Sequence, residues 1–166
     1  FARFGAQVTQ VEMAPRIMLR EDPEVSEAVM QQFRAEGMTI LTGHKAKEFR
    51  IENGEKVLVA EHGGRDVKIA FDEVLCALGR TPNVTGYGLE ELGIPVTKTR
   101  TVETNEYLET LYPNIYAVGD VVGFPSLASA AYDQGRFAAT HIVEGRLEHK
   151  LVKDMPTGIY TSPEIS

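Results

Sequence analysis

Apolar positions change their spacing several times along the chain, and each change marks an element. From Pro23 to Ala35 the residues Val25, Val29, Met30 and Phe33 recur at steps of three and four, which predicts one apolar stripe on an amphipathic helix. Pro23 follows Asp22 and suits a first helical turn. Gly37 closes the segment, and Met38 to Leu41 reads as a short strand. Ahead of the helix, Phe1 to Phe4 reads as a last helical turn capped by Gly5, because glycine takes the left-handed conformation without a Cβ penalty. Ala6 to Glu12 reads as a strand with Val8 and Val11 apolar and an acid at its C-terminal end.

Three β-rich stretches follow: Lys45 to Ile51, Lys56 to Ala60 and Asp66 to Phe71. Turn residues at Asn53-Gly54 and Gly63-Gly64 separate them, which predicts a small antiparallel meander. Glu73 to Ala77 reads as an apolar strand buried on both faces of a parallel sheet, with Cys76 a buried, inert thiol within it. The pattern changes near residue 80, where GRTPN reads as a linker or crossing point. Gly86 to Gly93 predicts a short helical turn, and Pro95 with the Thr-rich stretch to Thr104 predicts extended chain or loop. Ile115 to Val118 reads as a strand ending in Gly119-Asp120. Leu127 to Glu144 reads as a helix with small residues crowded into its first turns. Lys150 to Ser166, with Pro156, Gly158 and Pro163 around IYT, reads as the opening of a further domain. The order of elements is that of an α/β protein.

Composition narrows the function classes. The 166 residues carry a net charge of −7, which argues against nucleic acid as a partner, since phosphate binding needs a basic surface. No apolar run approaches the ~20 residues that span a bilayer. A single cysteine excludes an internal disulfide framework or CxxC centre, and a cytoplasmic protein is expected. His44, His62, His141 and His149 lack metal-ligand spacing and are expected on the surface, so no metal is assigned.

Two segments carry candidate chemistry. The helical turn, Gly5 and the strand ending in Glu12 match the second half of a dinucleotide-binding βαβ unit, in which the acid accepts the hydroxyls of an adenosine ribose. The Gly-rich first half is not among these residues, so the chain reads as an internal fragment. Glu12 favours NAD over NADP, an effect that Arg16 softens. In the second segment, YAVGDVVGFPSLASAAYDQGR, Asp120 sits where the chain leaves the predicted strand after Gly119. SLASAA then starts a helix with unpaired N–H groups and a positive dipole end. Such an end suits an electron-rich carbonyl, and Ala128, Ser129, Ala130 and Ala131 are small enough to admit a flat ring. A turn followed by a well-packed helix is the simpler explanation of the same residues.

VLCALGRTPN, then TNEYLETLYPNIYAVGDVVG, then the Ser/Ala-rich helix and IYTSPEIS together resemble the pyridine nucleotide-disulfide oxidoreductases. That group includes dihydrolipoamide dehydrogenase, glutathione reductase, mercuric reductase and the soluble pyridine nucleotide transhydrogenase. The resemblance implies a Rossmann-like FAD/NAD(P)-binding fold with a small antiparallel β-meander, truncated at both ends. Residues 1–79 would be an NAD domain without its first strand and Gly loop, 80–149 the C-terminal part of an FAD domain, and 150–166 the start of a dimerisation domain. By position, Glu12 would hold the NAD ribose, Ala46 would line the adenine pocket, and Gly79 would lie near the nicotinamide. Arg80 would sit at the junction of the nucleotide domains. Gly119 and Asp120 would meet the ribityl and phosphate part of FAD, and the N–H of Ala128, after Leu127, would point at the flavin pyrimidine oxygen.

PSLASAAYDQGR and DMPTGIYTSPEIS most resemble the transhydrogenase, whereas REDPEVSEAV and RAEGMTILTG resemble mercuric reductase and lipoamide dehydrogenase relatives as much. Ser129 stands where lipoamide dehydrogenases carry a histidine. The family's redox cysteine pair and its catalytic His-Glu pair fall outside these residues, so no catalytic residue is assigned. The resemblance implies a hydride transfer between NAD(P)H and flavin in a parent closest to dihydrolipoamide dehydrogenase or the soluble transhydrogenase. FAD and NAD are the implied cofactors, with NADP as the other option, a nicotinamide nucleotide the substrate, and a homodimer the expected assembly. The alternatives are an inactive fragment that only folds or binds nucleotide weakly, and a mercuric reductase-like enzyme.

Overall fold

The computed structural model describes residues 1–145, 150–152 and 155–165; His149 lies outside them. The elements run β1 (Thr9–Val11), α1 (Pro23–Ala35), β2 (Thr39–Leu41), β3 (Lys45–Glu52), β4 (Glu55–His62), β5 (Arg65–Ala70) and α2 (Ala128–Glu144), with 3₁₀ turns at Ala2–Phe4 and Gly119–Val122. They form two compact units, Phe1–Cys76 with Thr157–Ser166, and Ala77–Pro156.

In the first unit β1 and β2 pair in parallel, Thr9 opposite Thr39 and Val11 opposite Leu41, and α1 connects them as a βαβ unit. The stripe predicted for α1 supplies the core, where Val29 and Met30 pack with Ile17 and Ile40, and Phe33, Met38 and Ile165 close over them. Each fully buried aliphatic side chain contributes about 2 kcal/mol. Ser26, fully buried on the same helix, donates its hydroxyl to the Ile17 carbonyl at 2.7 Å. That bond ties α1 to the loop before it.

The meander forms as the spacing predicts, in the order β3-β4-β5. Its central strand is buried continuously from Val57 to Ala60, so both faces are covered. Arg50 lies opposite Val57 and Lys68 opposite Val59. Both cations pair with Glu52. A register shift separates Ala46 from Glu48.

Two strand expectations fail. Glu73 to Ala77 forms no strand; Val74 and Leu75 are half or more exposed, and Cys76 is exposed rather than buried. A strand needs a neighbour for its N–H and C=O groups, and the parallel sheet among the described residues consists of β1 and β2 alone. Ile115 to Val118 likewise makes only one isolated bridge, Tyr116 with Glu109. Ala6 to Glu12 shortens to Thr9–Val11.

The second unit therefore rests on side chains and turns rather than on ladders. Val84, Ile94, Val102 and Ala117 form one core, and Leu108, Phe137 and Ala138 form another. The helical turn expected over 86–93 is present, with Leu92 N–H bonded to Gly88 O and Ile94 N–H to Leu89 O. Thr97 Oγ1 accepts the Thr99 and Thr101 N–H groups, which holds the Thr-rich stretch as a loop. α2 ends at Gly145 with φ 73°, its N–H returned to His141 O.

Two histidine expectations also change. The His141 side chain is 11% exposed, stacked on Tyr107 with ring centroids 4.4 Å apart. Its Nδ1 lies 3.0 Å from the Tyr116 hydroxyl, which lies 3.1 Å from Glu109 Oε1. An ionised carboxylate only accepts, so Tyr116 donates to Glu109 and His141 Nδ1–H donates to Tyr116. His44 is half-buried and stacks on His62, a contact that a separation along the chain cannot announce.

Candidate functional site

The second unit builds its site on Gly119. This residue is buried with φ 79°, a conformation that strains any side chain. A Cβ there would also stand 3.4 Å from the Ala131 Cβ, so glycine lets the turn press against α2. The Gly119 N–H donates to Gln134 Oε1 at 2.6 Å. Gln134 is 5% exposed, on the same face of α2 as Ala130, Phe137 and Ala138.

That anchoring leaves Asp120 facing outward at the start of the 3₁₀ turn, its side chain 45% exposed. The Arg80 guanidinium stands 3.4 Å from Asp120 Oδ2, so an acceptor and a cation share one spot. Leu127 holds the helix entrance in an extended conformation, with no side-chain cap. The first bond within α2 runs from Ala131 N–H to Leu127 O. The N–H groups of Ala128, Ser129 and Ala130 therefore point out of the helix start without intrahelical acceptors. Ala128 and Ser129 are exposed, but Ala130 is fully buried. The small residues divide accordingly, two leaving room outside the helix and two packing inside it.

Gly79 has φ 110°, and a Cβ there would meet nothing within 4 Å. Its backbone demands glycine while its surroundings stay open. The chemistry of these residues fits a flavin nucleotide: Asp120 could accept from polyol hydroxyls, Arg80 could balance a pyrophosphate, and the entrance of α2 could offer N–H donors to an electron-rich carbonyl.

In the first unit Glu12 directly follows β1. Its N–H bonds Leu41 O at 2.9 Å, and its carbonyl accepts the His44 N–H at 2.9 Å. The half-buried carboxylate accepts the Ala14 N–H on Oε1 at 2.7 Å, which fixes its direction. Ala46 is exposed on β3 opposite Ala60, at the register shift. Arg16 follows four residues after Glu12. Its guanidinium is committed to the carbonyls of Met18, Leu19 and Glu21 at 2.9–3.1 Å, and it straps the loop before α1.

The fold thus groups Arg80, Gly119, Asp120, Leu127 and Ala128 in the second unit, with Gly79 beside Arg80, and places Glu12 and Ala46 in the first. Sequence reasoning missed Gln134. Its signal was available, since it falls at helical spacing between Ala130 and Ala138 where an apolar residue would be expected.

Residues 1–135 match the family model described as pyridine nucleotide-disulphide oxidoreductase. The whole chain is 40% identical to 35% of the soluble pyridine nucleotide transhydrogenase of Yersinia enterocolitica, and 39% identical to the same share of that of Yersinia pseudotuberculosis. Two solved structures are similar over 98% of the chain. One is the HOCl-induced flavoprotein disulfide reductase RclA from Escherichia coli, with TM-score 0.86 and 25% identity over 37% of its length. The other is LpdA from Mycobacterium tuberculosis, with TM-score 0.84 and 26% identity over 35% of its length. The chain spans about a third of the length of these relatives. With the Gly119-Asp120 turn, the open helix entrance and the β1-α1-β2 unit that places Glu12 at the end of its first strand all in place, the chain belongs to the pyridine nucleotide-disulphide oxidoreductase family.

Proposed function

We propose that these residues form parts of the two nucleotide sites of an FAD-dependent oxidoreductase that passes a hydride between a nicotinamide nucleotide and flavin. The observation that carries this is the Gly119-Asp120 turn, locked by Gln134 beside an uncapped helix start. When bound, the flavin supplies the hydride-accepting ring. The chain supplies the surroundings. Asp120 accepts from hydroxyls of the FAD chain, and Arg80 neutralises charge next to it. The first N–H groups of α2, Ala128 foremost, stabilise negative charge on a carbonyl oxygen. Gly79 leaves the approach to the ring open. Glu12, steered by Ala14 N–H, accepts the ribose hydroxyls of NAD, and Ala46 adds a small surface for adenine.

We assign residues 1–79 to the NAD-binding part, 80–149 to the FAD-binding part and 150–166 to the start of a dimerisation domain. The change of compact unit between Cys76 and Ala77 supports the first boundary. A cytoplasmic homodimer is the proposed setting. The soluble transhydrogenases support the choice of a second nicotinamide nucleotide as electron acceptor.

A chimera provides the test, in which the Yersinia enterocolitica transhydrogenase carries these 166 residues in place of its matching third. The purified chimera is expected to hold yellow flavin that NADH bleaches in the absence of oxygen. A folded chimera without flavin, or with flavin that NADH leaves oxidised, contradicts the proposal.

A further inference from the structure

We propose that Tyr116 and His141 are positioning residues for Asp120, which clamp the segment entering the Gly119 turn against α2 at a second point. The first point is the Gly119 N–H, which donates to Gln134 Oε1. Three residues earlier, the Tyr116 hydroxyl accepts from His141 Nδ1–H at 3.0 Å. Gln134 and His141 stand seven residues apart on α2, so they share one face. Seven helical residues rise about 10.5 Å, and three extended residues advance about 10 Å. The two contacts therefore keep step, and the segment runs antiparallel to the helix between them. Along the way Ala117 is buried, and Tyr116 packs against the cluster of Leu108, Phe137 and Ala138.

The second point is built from several directions. A phenol hydroxyl rotates freely unless its partners are fixed. Here Tyr116 donates to Glu109 Oε1 at 3.1 Å, and Asn105 Nδ2 donates to Glu109 Oε2 at 2.7 Å. Asn105 Oδ1 in turn accepts the N–H groups of Tyr107 and Glu109 at 2.9 and 3.1 Å. The Tyr107 ring then lies on the His141 imidazole. Between Tyr107 and Glu109, Leu108 takes φ 66°, a left-handed conformation uncommon for a residue with a side chain. Such strain persists where the surroundings over-determine it. In this loop it lets two neighbours of Leu108 converge on one helix residue.

A segment fixed at Gln134 alone is free to pivot about that bond. The Tyr116–His141 bond removes the pivot, and the extended backbone of Val118 (φ −141°, ψ 157°) carries the constraint to the turn. Asp120 and the entrance of α2 at Ala128 are thereby held relative to each other, although His141 lies thirteen residues beyond Ala128. The value of the clamp for the reaction rests on the reading of Asp120 as a partner of FAD; the clamp itself does not.

The experiment follows hydrogen exchange at the Gly119 amide in the 166-residue chain. Tyr116→Phe removes the hydroxyl and keeps the ring. His141→Phe keeps a flat ring on Tyr107 and removes the donor. His141→Asn gives up the stack but keeps an N–H donor, as many bonds from the backbone as Nδ1. Tyr116→Phe and His141→Phe are each expected to lower protection at Gly119 roughly tenfold, the factor carried by one hydrogen bond, although Gln134 is untouched. His141→Asn is expected to keep most of that protection. The Ile94 amide, bonded to Leu89 O in the other core of the unit, should stay protected throughout. Should Tyr116→Phe unfold the unit, the two His141 variants still decide. In the Yersinia chimera, Tyr116→Phe is expected to weaken FAD binding roughly tenfold. Unchanged protection at Gly119 in folded variants, or the same loss in His141→Asn as in His141→Phe, overturns the proposal. Lost protection with undiminished FAD affinity supports the clamp and strikes instead the flavin reading of Asp120.

Discussion

Glu12 and Asp120 are the two carboxylates on which the functional proposal rests, and the molecule holds them in different ways. Glu12 follows a paired strand, and its backbone is bonded to the last residue of β2 and to His44 just after it. Its carboxylate is steered by a backbone N–H two residues on. Asp120 has no ladder behind it. It is placed by a left-handed glycine, one buried glutamine and a loop cation. A ladder spreads the cost of positioning over many bonds, whereas the Asp120 turn concentrates it in two side-chain contacts. Substitutions near Asp120 should therefore matter more than matched ones near Glu12.

Replacement of Gly119 by valine is expected to have the largest effect. It forces a side chain into φ 79° and against Ala131, at a cost of about 3 kcal/mol. Gly37→Ala in the first unit, where φ is 87° but no atom lies near, should cost about 1 kcal/mol. Denaturant melts of the two variants check the contrast, and equal losses would break it.

Next come the buried polar partners. Gln134→Leu leaves the Gly119 N–H without its acceptor and should cost about 2 kcal/mol. Ser26→Ala removes one buried hydroxyl bond and should cost about 1 kcal/mol. Hydrogen exchange resolves which unit opens in each case.

Acidity gives a further contrast. The Asn105 amide, followed by the Tyr116 hydroxyl and the charge of His141, holds the Glu109 carboxyl below its ordinary value, against the opposing effect of burial. A depressed folded value contributes stability that is present above the unfolded value and lost as pH falls through the folded one. Exchange protection around Glu109 should therefore decline below about pH 4, and Glu109→Gln should remove that dependence. Burial, then Glu109, raises the Tyr116 phenol. Its contribution is present below the ordinary tyrosine value and disappears as pH rises through the higher folded one, in strongly alkaline solution. The smallest effect belongs to the exposed Lys47–Asp66 pair, where Lys47→Ala should leave the denaturation midpoint essentially unchanged.

The same contrast explains what the sequence revealed. α1 was legible to the residue, since its stripe, its proline and its following glycine all agree with the core it enters. The meander was legible from period and turn residues, because its strands neighbour one another in the chain. The apolar run Glu73–Ala77 was not, because a strand is defined by a partner and periodicity says nothing about whether one is present. The resemblance marked Gly119 and Asp120, and spacing marked α2, but neither showed that Gln134 joins the turn to the helix. The strap made by Arg16 was hidden for a related reason: it depends on three carbonyls that its own loop folds toward it. The histidine contacts were hidden because residues far apart in the chain meet only after β4 and α2 have packed.

The central claim is that the two carboxylates serve two different nucleotides, and one paired measurement tests it. In the Yersinia chimera, flavin content and the KM for NADH are measured for Glu12→Gln and Asp120→Ala. Glutamine suits the first variant because its amide oxygen can still accept from Ala14 N–H while the charge is lost. Glu12→Gln is expected to keep its flavin and raise the KM roughly tenfold, the effect of one charge-assisted hydrogen bond. Asp120→Ala is expected to lose most of its flavin, with an unchanged KM in the fraction that retains it. Flavin loss in Glu12→Gln, or full flavin with an altered KM in Asp120→Ala, would contradict the assignment.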